Sequence, residues 1–260
     1  MIDDSTVVES RTPHRICVVV PCYNEAQRIQ TAKFVEFLKA NTGVTLLFVD
    51  DGSLDNTSEI IGGIARSFPE MACVLRSDRN RGKAEAVRLG VLHALDHFSP
   101  EILGFWDADL ATPLESIGRF LNVFEDRPDI EMIFGSRVQL LGRHVQRKAI
   151  RHYLGRIFAT AVSVVLQLKI YDSQCGAKLF RVQPLTKRIF AAPFLSRWVF
   201  DVEILARYLQ HFRQEKRDLA NVIYEYPLER WVDVAGSKVQ ASDFFVAFWE
   251  VLRIRGKYLT

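Results

Sequence analysis

Two aspartates one residue apart, Asp107 and Asp109, follow the apolar run Ile102–Trp106. Such a pair suits a hard divalent cation. Mg2+ and Mn2+ take oxygen ligands and are held by one or two carboxylates together with substrate phosphates. In an extended chain the two side chains point opposite ways; a turn at Ala108 brings both towards one edge. Taken alone, the pair reads better as part of a helix-initiating loop before Pro113. Three other motifs shift that balance. Pro21-Cys22-Tyr23-Asn24-Glu25 follows Ile16–Val20, Asp50-Asp51-Gly52-Ser53 follows Thr45–Val49, and Asn80-Arg81-Gly82-Lys83 follows Ala72–Leu75. Singly, Asn24 reads as a helix cap, Asp55 or Thr57 as the next one, and Lys83 as part of a solvated helix face. Four polar motifs at the carboxyl ends of four apolar runs converge on the edge where open α/β sheets bind their ligands.

The elements that carry them alternate. The continuous apolar, β-branched run Ile16–Val20 reads as a strand buried on both faces, Thr45–Val49 as a second buried strand, and Ala72–Leu75, Ile102–Trp106 and Ile130–Phe134 as three further strands. Helical stretches fall between them at Ala26–Lys39, Thr57–Ser67, Lys83–Phe98 and Pro113–Phe124. Strands separated by helices imply crossovers and a mostly parallel sheet, an α/β fold. The second half is less regular, with helices at Arg147–Leu168, Phe200–Gln210 and Ala241–Arg255 and short strands at Ala177–Phe180 and Val222–Tyr226.

Several classes fall away. No GxGxxG follows a strand, and Gly82-Lys83 lacks the Walker-A glycine, which removes dinucleotide oxidoreductases and P-loop enzymes. The Gly-rich N-terminal loop of a sugar-nucleotide pyrophosphorylase is also missing. A net charge of +3 is too small for a general nucleic-acid binder. The longest stretch free of charged residues, Ile157–Leu168, falls short of the ~20 apolar residues of a membrane span. Met1 to Arg15 carries Asp3, Asp4 and Glu9 and does not read as a signal peptide. Cys17, Cys22, Cys73 and Cys175 form no CxxC pair and read as reduced thiols of a cytoplasmic protein.

The four motifs resemble the successive signatures of family-2 glycosyltransferases of the GT-A fold. In the second half, Gly135-Ser136-Arg137, the segment from Asp172 to Phe180 (DSQCGAKLF) and Arg197-Trp198-Val199-Phe200-Asp201-Val202-Glu203 resemble the dolichyl-phosphate β-glucosyltransferase branch. The resemblance runs from about Arg15 to Leu259. It implies residues 15–235 as the catalytic domain, with a tail at 1–14 and an amphipathic helix at 236–260. It implies that Pro21, Tyr23, Glu25 and Asp51, with Asp50, border the base and ribose of a UDP-sugar, and that Lys83 sits near the donor. It further implies that Asp107 and Asp109 hold the sugar nucleotide through Mg2+ or Mn2+, with Asp109 the direct ligand. Mannosyl-transferring relatives have Gln two positions after the second Asp. Here that position is Ala111, which points away from mannose and leaves one metal ligand unidentified.

Between Glu131 and Asp172 there is no Asp or Glu, while Arg137, Arg143, Arg147, Lys148, Arg151, Arg156 and Lys169 fall in those forty residues. Arg147 and Arg151 share a helix face, and arginine forks suit phosphate oxygens. The apolar run Ile157–Leu168 follows directly, as a polyprenyl phosphate with its charged head and apolar tail requires. Arg137, Arg147, Arg151, Gln174 and Lys178 are the expected acceptor-phosphate residues. Phe244, Phe245, Phe248, Trp249 and Leu252 lie before Arg253, Arg255 and Lys257. They form either an interfacial helix at the cytoplasmic membrane face or a face packed on the core or on the second subunit of a homodimer. An ionised phosphate attacks without a base, and in-line attack inverts the anomeric centre. A hydroxyl acceptor on a glycan needs a base, for which Asp201 and Glu203 are the candidates, unless Asp201 caps a helix and Glu203 pairs with Arg207. A binding module without catalysis is the third alternative.

Overall fold

The first apolar run forms β1 (Ile16–Cys22), and the second forms β2 (Val44–Asp50), buried along its whole length. A computed structural model describes residues 16–146, 149–234 and 243–259 of the chain. The tail at 1–14 and the expected boundary at 235–236 lie outside them, apart from Val234 on its near side. After β1 and β2 come β3 (Ala72–Arg76), β4 (Ile102–Trp106) and β5 (Met132–Ser136). They are joined by α1 (Thr31–Ala40), α2 (Thr57–Ser67), α3 (Lys83–His97) and α4 (Ser116–Asp126). In the second half β6 (His144–Gln146) precedes α5 (Ala149–Leu166), and β7 (Ala177–Arg181) precedes α6 (Pro184–Ala191) and α7 (Phe200–Gln214). The chain closes with β8 (Ile223–Pro227), β9 (Arg230–Val232) and α8 (Asp243–Tyr258).

Seven strands form one sheet in the order β3-β2-β1-β4-β7-β5-β8, and β6 pairs with β9 in a parallel two-stranded ribbon. β7 runs antiparallel to both β4 and β5; the other neighbours are parallel. Reversal of this one strand matters for the site. Its amino end, not its carboxyl end, lies beside the carboxyl ends of β1, β2 and β4. The polar segment 172–176 therefore reaches the same edge as the motifs of the first half. The sequence reading places a strand here but not its direction.

Alternation along the strands divides the core between the two faces. Cys17, Val19, Leu47, Val49 and Phe105 pack under α3 and α5 to α8, while Val18, Val20, Leu46, Phe48 and Trp106 pack under α1, α2 and α4. The helix expected from Ala26 begins only at Thr31. Residues 26–30 form turns instead, with the N–H groups of Arg28 and Ile29 donating to the Glu25 carbonyl. That frees Arg28 and Gln30 to reach the site. The short strands β6 and β9 and helix α6 lack the length for a periodic signal.

Close approach of α3 to the sheet rests on Gly90. A Cβ there would lie 2.5 Å from Val19 Cγ1 and 2.8 Å from Val49 Cγ2. Gly90→Val is expected to cost about 1–3 kcal/mol through overpacking. Urea unfolding measures it, and an unchanged midpoint would contradict so close a helix–sheet contact.

Candidate active site

At the carboxyl edge of the sheet the loops are tied to one another by polar side chains. Asn24, in the left-handed region at φ 51°, donates its N–H to Ser53 Oγ (3.0 Å) and accepts from the Leu54 N–H through its side-chain oxygen (2.8 Å). Glu25 N–H donates to Thr57 Oγ1 and Ala26 N–H to Asp55 Oδ2. Asn24 is thus a cross-link between the β1 and β2 loops and not a helix cap. Asp50 accepts from the Ser53 N–H and closes the β2 turn. Asp51 accepts from the N–H of Arg81 (2.9 Å) and of Gly82 (2.7 Å), so its two oxygens hold the loop that opens α3. Burial pushes the Asp51 carboxyl up, and these two N–H groups and Arg197 pull against it.

Gly82 makes the turn into α3 at φ 96°, and Arg197 lies where a Cβ would stand. Lys83 is the first residue of α3, and its Nζ lies 2.5 Å from Asp107 Oδ1. Burial works against the Lys83 charge, but Asp107 and Asp201 outweigh it and hold its pKa above the ordinary value. The expected turn is present after β4, with the Leu110 N–H donating to the Asp107 carbonyl. Asp109 accepts from Arg28 Nη2 (3.0 Å) and from the Ala111 N–H (3.1 Å), and Gln30 donates to its carbonyl oxygen. Burial, then the Asp107 charge, raises the Asp109 carboxyl pKa.

A cavity of about 330 Å3 joins these groups. Glu25, Arg28, Lys83, Asp107 and Asp109 line one part, and Arg137, Arg156, Tyr171 and Gln174 another. Trp198 and Trp231 also border it, and Phe158, Ala159 and Ala247 supply apolar wall. Pro21 and Asp50 sit at the ends of β1 and β2, and Tyr23 and Asp51 in the loops that follow; none of the four is on this wall. Arg137 donates from Nε (2.5 Å) and Nη2 (2.7 Å) to Asp172 and lies over the Trp231 ring at 5.4 Å. Arg156 donates to the Tyr171 carbonyl and stacks on that ring at 3.6 Å. Arg147 lies outside the described residues, as does the Arg151 side chain. The side chains of Phe244 and Phe245 do too.

Three expected roles are corrected. Glu203 is 0% exposed and faces away from the cavity. It accepts from the Leu195 N–H, Arg207 and Tyr258 Oη, which makes it a core anchor and not a base. Asp201 is buried against Lys178, with Oδ1 2.6 Å from Nζ, so it is no base in reach of an acceptor either. Lys178 is itself 0% exposed and cannot meet an acceptor phosphate. Cys175 is buried and its thiol is pushed up to about 11, which keeps it protonated and inert at neutral pH. Arg28 was missed because the segment read as helix, where residue 28 has no reason to face Asp109.

Asp51→Asn leaves one oxygen for two N–H donors and sets an NH2 group against one of them. We expect the 81–83 loop to loosen and nucleotide affinity to fall about tenfold, the size of one lost charge-assisted hydrogen bond. Calorimetric titration with UDP checks this; unchanged affinity would rule out a loop-holding role.

Comparisons with known proteins agree with this geometry. The sequence profile described as Glycosyl transferase family 2 matches residues 17–188. The chain is 31% identical over 264 residues to a dolichyl-phosphate beta-glucosyltransferase of Saccharomyces cerevisiae, covering 94% of this chain and 75% of the relative. It is 30% identical over 267 residues to the Homo sapiens enzyme of the same name, covering 95% and 76%. In three dimensions it is similar to glucosyl-3-phosphoglycerate synthase from Mycobacterium tuberculosis, solved with Mn2+, UDP-glucose and phosphoglyceric acid. The TM-score is 0.64 at 16% identity over 94% of this chain and 79% of that one. A mannosyltransferase from Pyrobaculum calidifontis solved with GDP-Man and Mn2+ gives a TM-score of 0.59 at 18% identity, covering 97% and 66%. The sheet order with its one reversed strand is that of the GT-A fold, and the chain belongs to glycosyltransferase family 2.

Proposed function

We propose that this protein is an inverting glucosyltransferase that moves glucose from UDP-glucose onto a polyprenyl phosphate at the cytoplasmic membrane face. The observation that carries this is one cavity lined by two unlike sets of side chains. A carboxylate pair with two cations is one set, and arginines with apolar side chains are the other. The relatives' dolichyl-phosphate acceptor and the UDP-glucose held by the structural neighbour supply the substrates for these two sets.

Asp107 and Asp109 fit a divalent cation. Both line the cavity wall, and among the described residues no third His, Cys, Asp or Glu joins them in a cluster. The protein then offers two carboxylates, and the remaining ligands come from the donor diphosphate and water, as is usual for Mg2+ and Mn2+. When bound, the cation neutralises the leaving diphosphate. Lys83 and Arg28, now paired with Asp107 and Asp109, stand ready to take phosphate oxygens.

Arg137 and Arg156 carry the acceptor head group. Arg137 is locked on Asp172 and presents its guanidinium edge to the cavity with little conformational freedom left to lose. The acceptor oxygen is already ionised, so no base is required, and both carboxylates that a hydroxyl route needed are closed off in the core. Catalysis rests on positioning two anions and stabilising developing diphosphate charge. The lipid tail leaves past Phe158 and Ala159 on α5. On α5, Tyr153, Ile157 and Val164 are exposed at helical spacing, and on α8 so are Val246, Phe248, Trp249 and Leu252. α5 and α8 pack against each other, and Arg253, Arg255 and Lys257 follow on α8. An apolar ridge beside cations suits an anionic lipid surface. Among the described residues no helix is long and apolar enough to cross a membrane.

A matrix assay of sugar nucleotides against polyprenyl phosphates and glycan acceptors tests the reaction. UDP-glucose with a polyprenyl phosphate is expected to give a β-linked product only with Mg2+ or Mn2+. Asp109→Ala should then lower kcat at least about 100-fold. Full activity of that variant, or of the enzyme in EDTA, would sink the metal assignment, and transfer only to glycans would sink the lipid acceptor. Separately, Phe248→Glu/Trp249→Glu is expected to abolish co-sedimentation with anionic vesicles while leaving transfer to detergent-dispersed acceptor intact. Retained vesicle binding would move the contact elsewhere, and a change from dimer to monomer would identify the ridge as a subunit interface.

A further inference from the structure

Beneath the cavity floor lies a lysine with no access to solvent. Lys178, on β7 opposite Phe105 of β4, is 0% exposed, and its Nζ sits 5.6 Å from the Phe105 ring centre and 5.5 Å from that of Phe134. Its partner Asp201, in the first turn of α7, is buried at 2.6 Å. A buried ion pair is a weak source of stability. Apolar residues of similar volume replace such pairs at no cost and often with a gain. Its presence in this core calls for another reason.

The lysine end of the pair leads to the site. Two further donations of Lys178 Nζ go to the carbonyls of Cys175 (2.7 Å) and Ser173 (3.2 Å), which closes the turn at 173–176. Gly176, the last residue of that turn, accepts the Asp107 N–H at 2.9 Å. It packs so closely that a Cβ on Gly176 would overlap the Asp107 carboxylate. The turn therefore fixes where Asp107 stands. At the other end, Asp201 in the first turn of α7 holds the Lys178 ammonium at 2.6 Å, so α7 and the turn are tied through one buried pair.

We infer that Lys178 and Asp201 are positioning residues for the transfer reaction: Asp201 holds Lys178, and Lys178 sets Asp107 through the 173–176 turn. This rests on the glucosyl-transfer reading of the site.

Lys178→Met/Asp201→Val removes both charges and leaves no unpaired partner. The double variant is expected to melt within about 4 °C of the wild type, as apolar replacement of a buried pair allows. Its kcat should fall about 100-fold, the cost of misplacing groups by an ångström, with KM for the lipid acceptor unchanged. UDP affinity, titrated with and without a divalent cation, should drop about tenfold from the displacement of Asp107. Activity within threefold of wild type overturns the inference. So does a variant that fails to fold, because the pair would then be a stability element. Gly176→Ala tests the turn without touching a charge, and wild-type kcat in that variant also overturns it. If the wild type moves no glucose to any polyprenyl phosphate, the proposed function fails, while melting and UDP affinity still decide the role of the pair.

Discussion

Like charge crowded at the end of an apolar sheet is the constraint that the rest of this structure answers. Asp50, Asp51, Asp107, Asp109, Asp172 and Asp201 all lie at one edge, one ending β2, four in loops and one at the start of α7. Two carboxylates 4 Å apart repel by about 4 kcal/mol at an effective dielectric of 20. Burial weakens the solvent that would otherwise screen them. Each is therefore met by a specific donor. Asp50 and Asp51 take backbone N–H groups, Asp107 takes Lys83, Asp109 takes Arg28, Asp172 takes Arg137 and Asp201 takes Lys178. The loops have the shapes they do because their N–H groups and cations are needed at these points.

The answers differ in permanence, and that difference sorts the residues by role. Asp51 and Asp201 are closed off from water and their partners are fixed. Lys83 and Asp107 are each about one-third exposed, and Arg28 and Asp109 are about one-fifth exposed, all four on the cavity wall. A partner that can be exchanged for a phosphate oxygen or a cation must be reachable. Only the second group satisfies that condition. The same test removes Glu203, whose three donors all belong to the core.

Legibility in the sequence follows from the range of the interaction. Strands β1 to β5 were readable because a doubly covered parallel strand is a continuous β-branched run, a local signal. Asp107 and Asp109 stand out in the sequence because three other polar motifs end apolar runs in the same way. Lys178 was misread as a phosphate ligand because its burial is decided by β7 lying between β4 and β5, a pairing across more than seventy residues in one direction and about forty in the other. Four of the five β7 residues are buried, so no alternation marks the inward side. Arg28 was hidden for the opposite reason: its segment has helical composition, and the cross-links from Asn24 and Glu25 to the β2 loop hold it in turns.

The acceptor side tests whether charge logic alone can distinguish substrates. A neutral hydroxyl would leave Arg156, which donates to a carbonyl and not a carboxylate, without an anion, and it would need a base where the two expected carboxylates are sealed. A polyprenyl phosphate brings that anion and needs no proton removed. It also accounts for the apolar side chains of Phe158, Ala159 and Ala247 on the wall of the same cavity, and for the exposure of Ile157, Val164 and Trp249 on the outer faces of the same two helices. Exposed tryptophan and branched aliphatics on adjoining helices are costly to leave in water, and on the proposed reading a lipid surface would remove that cost.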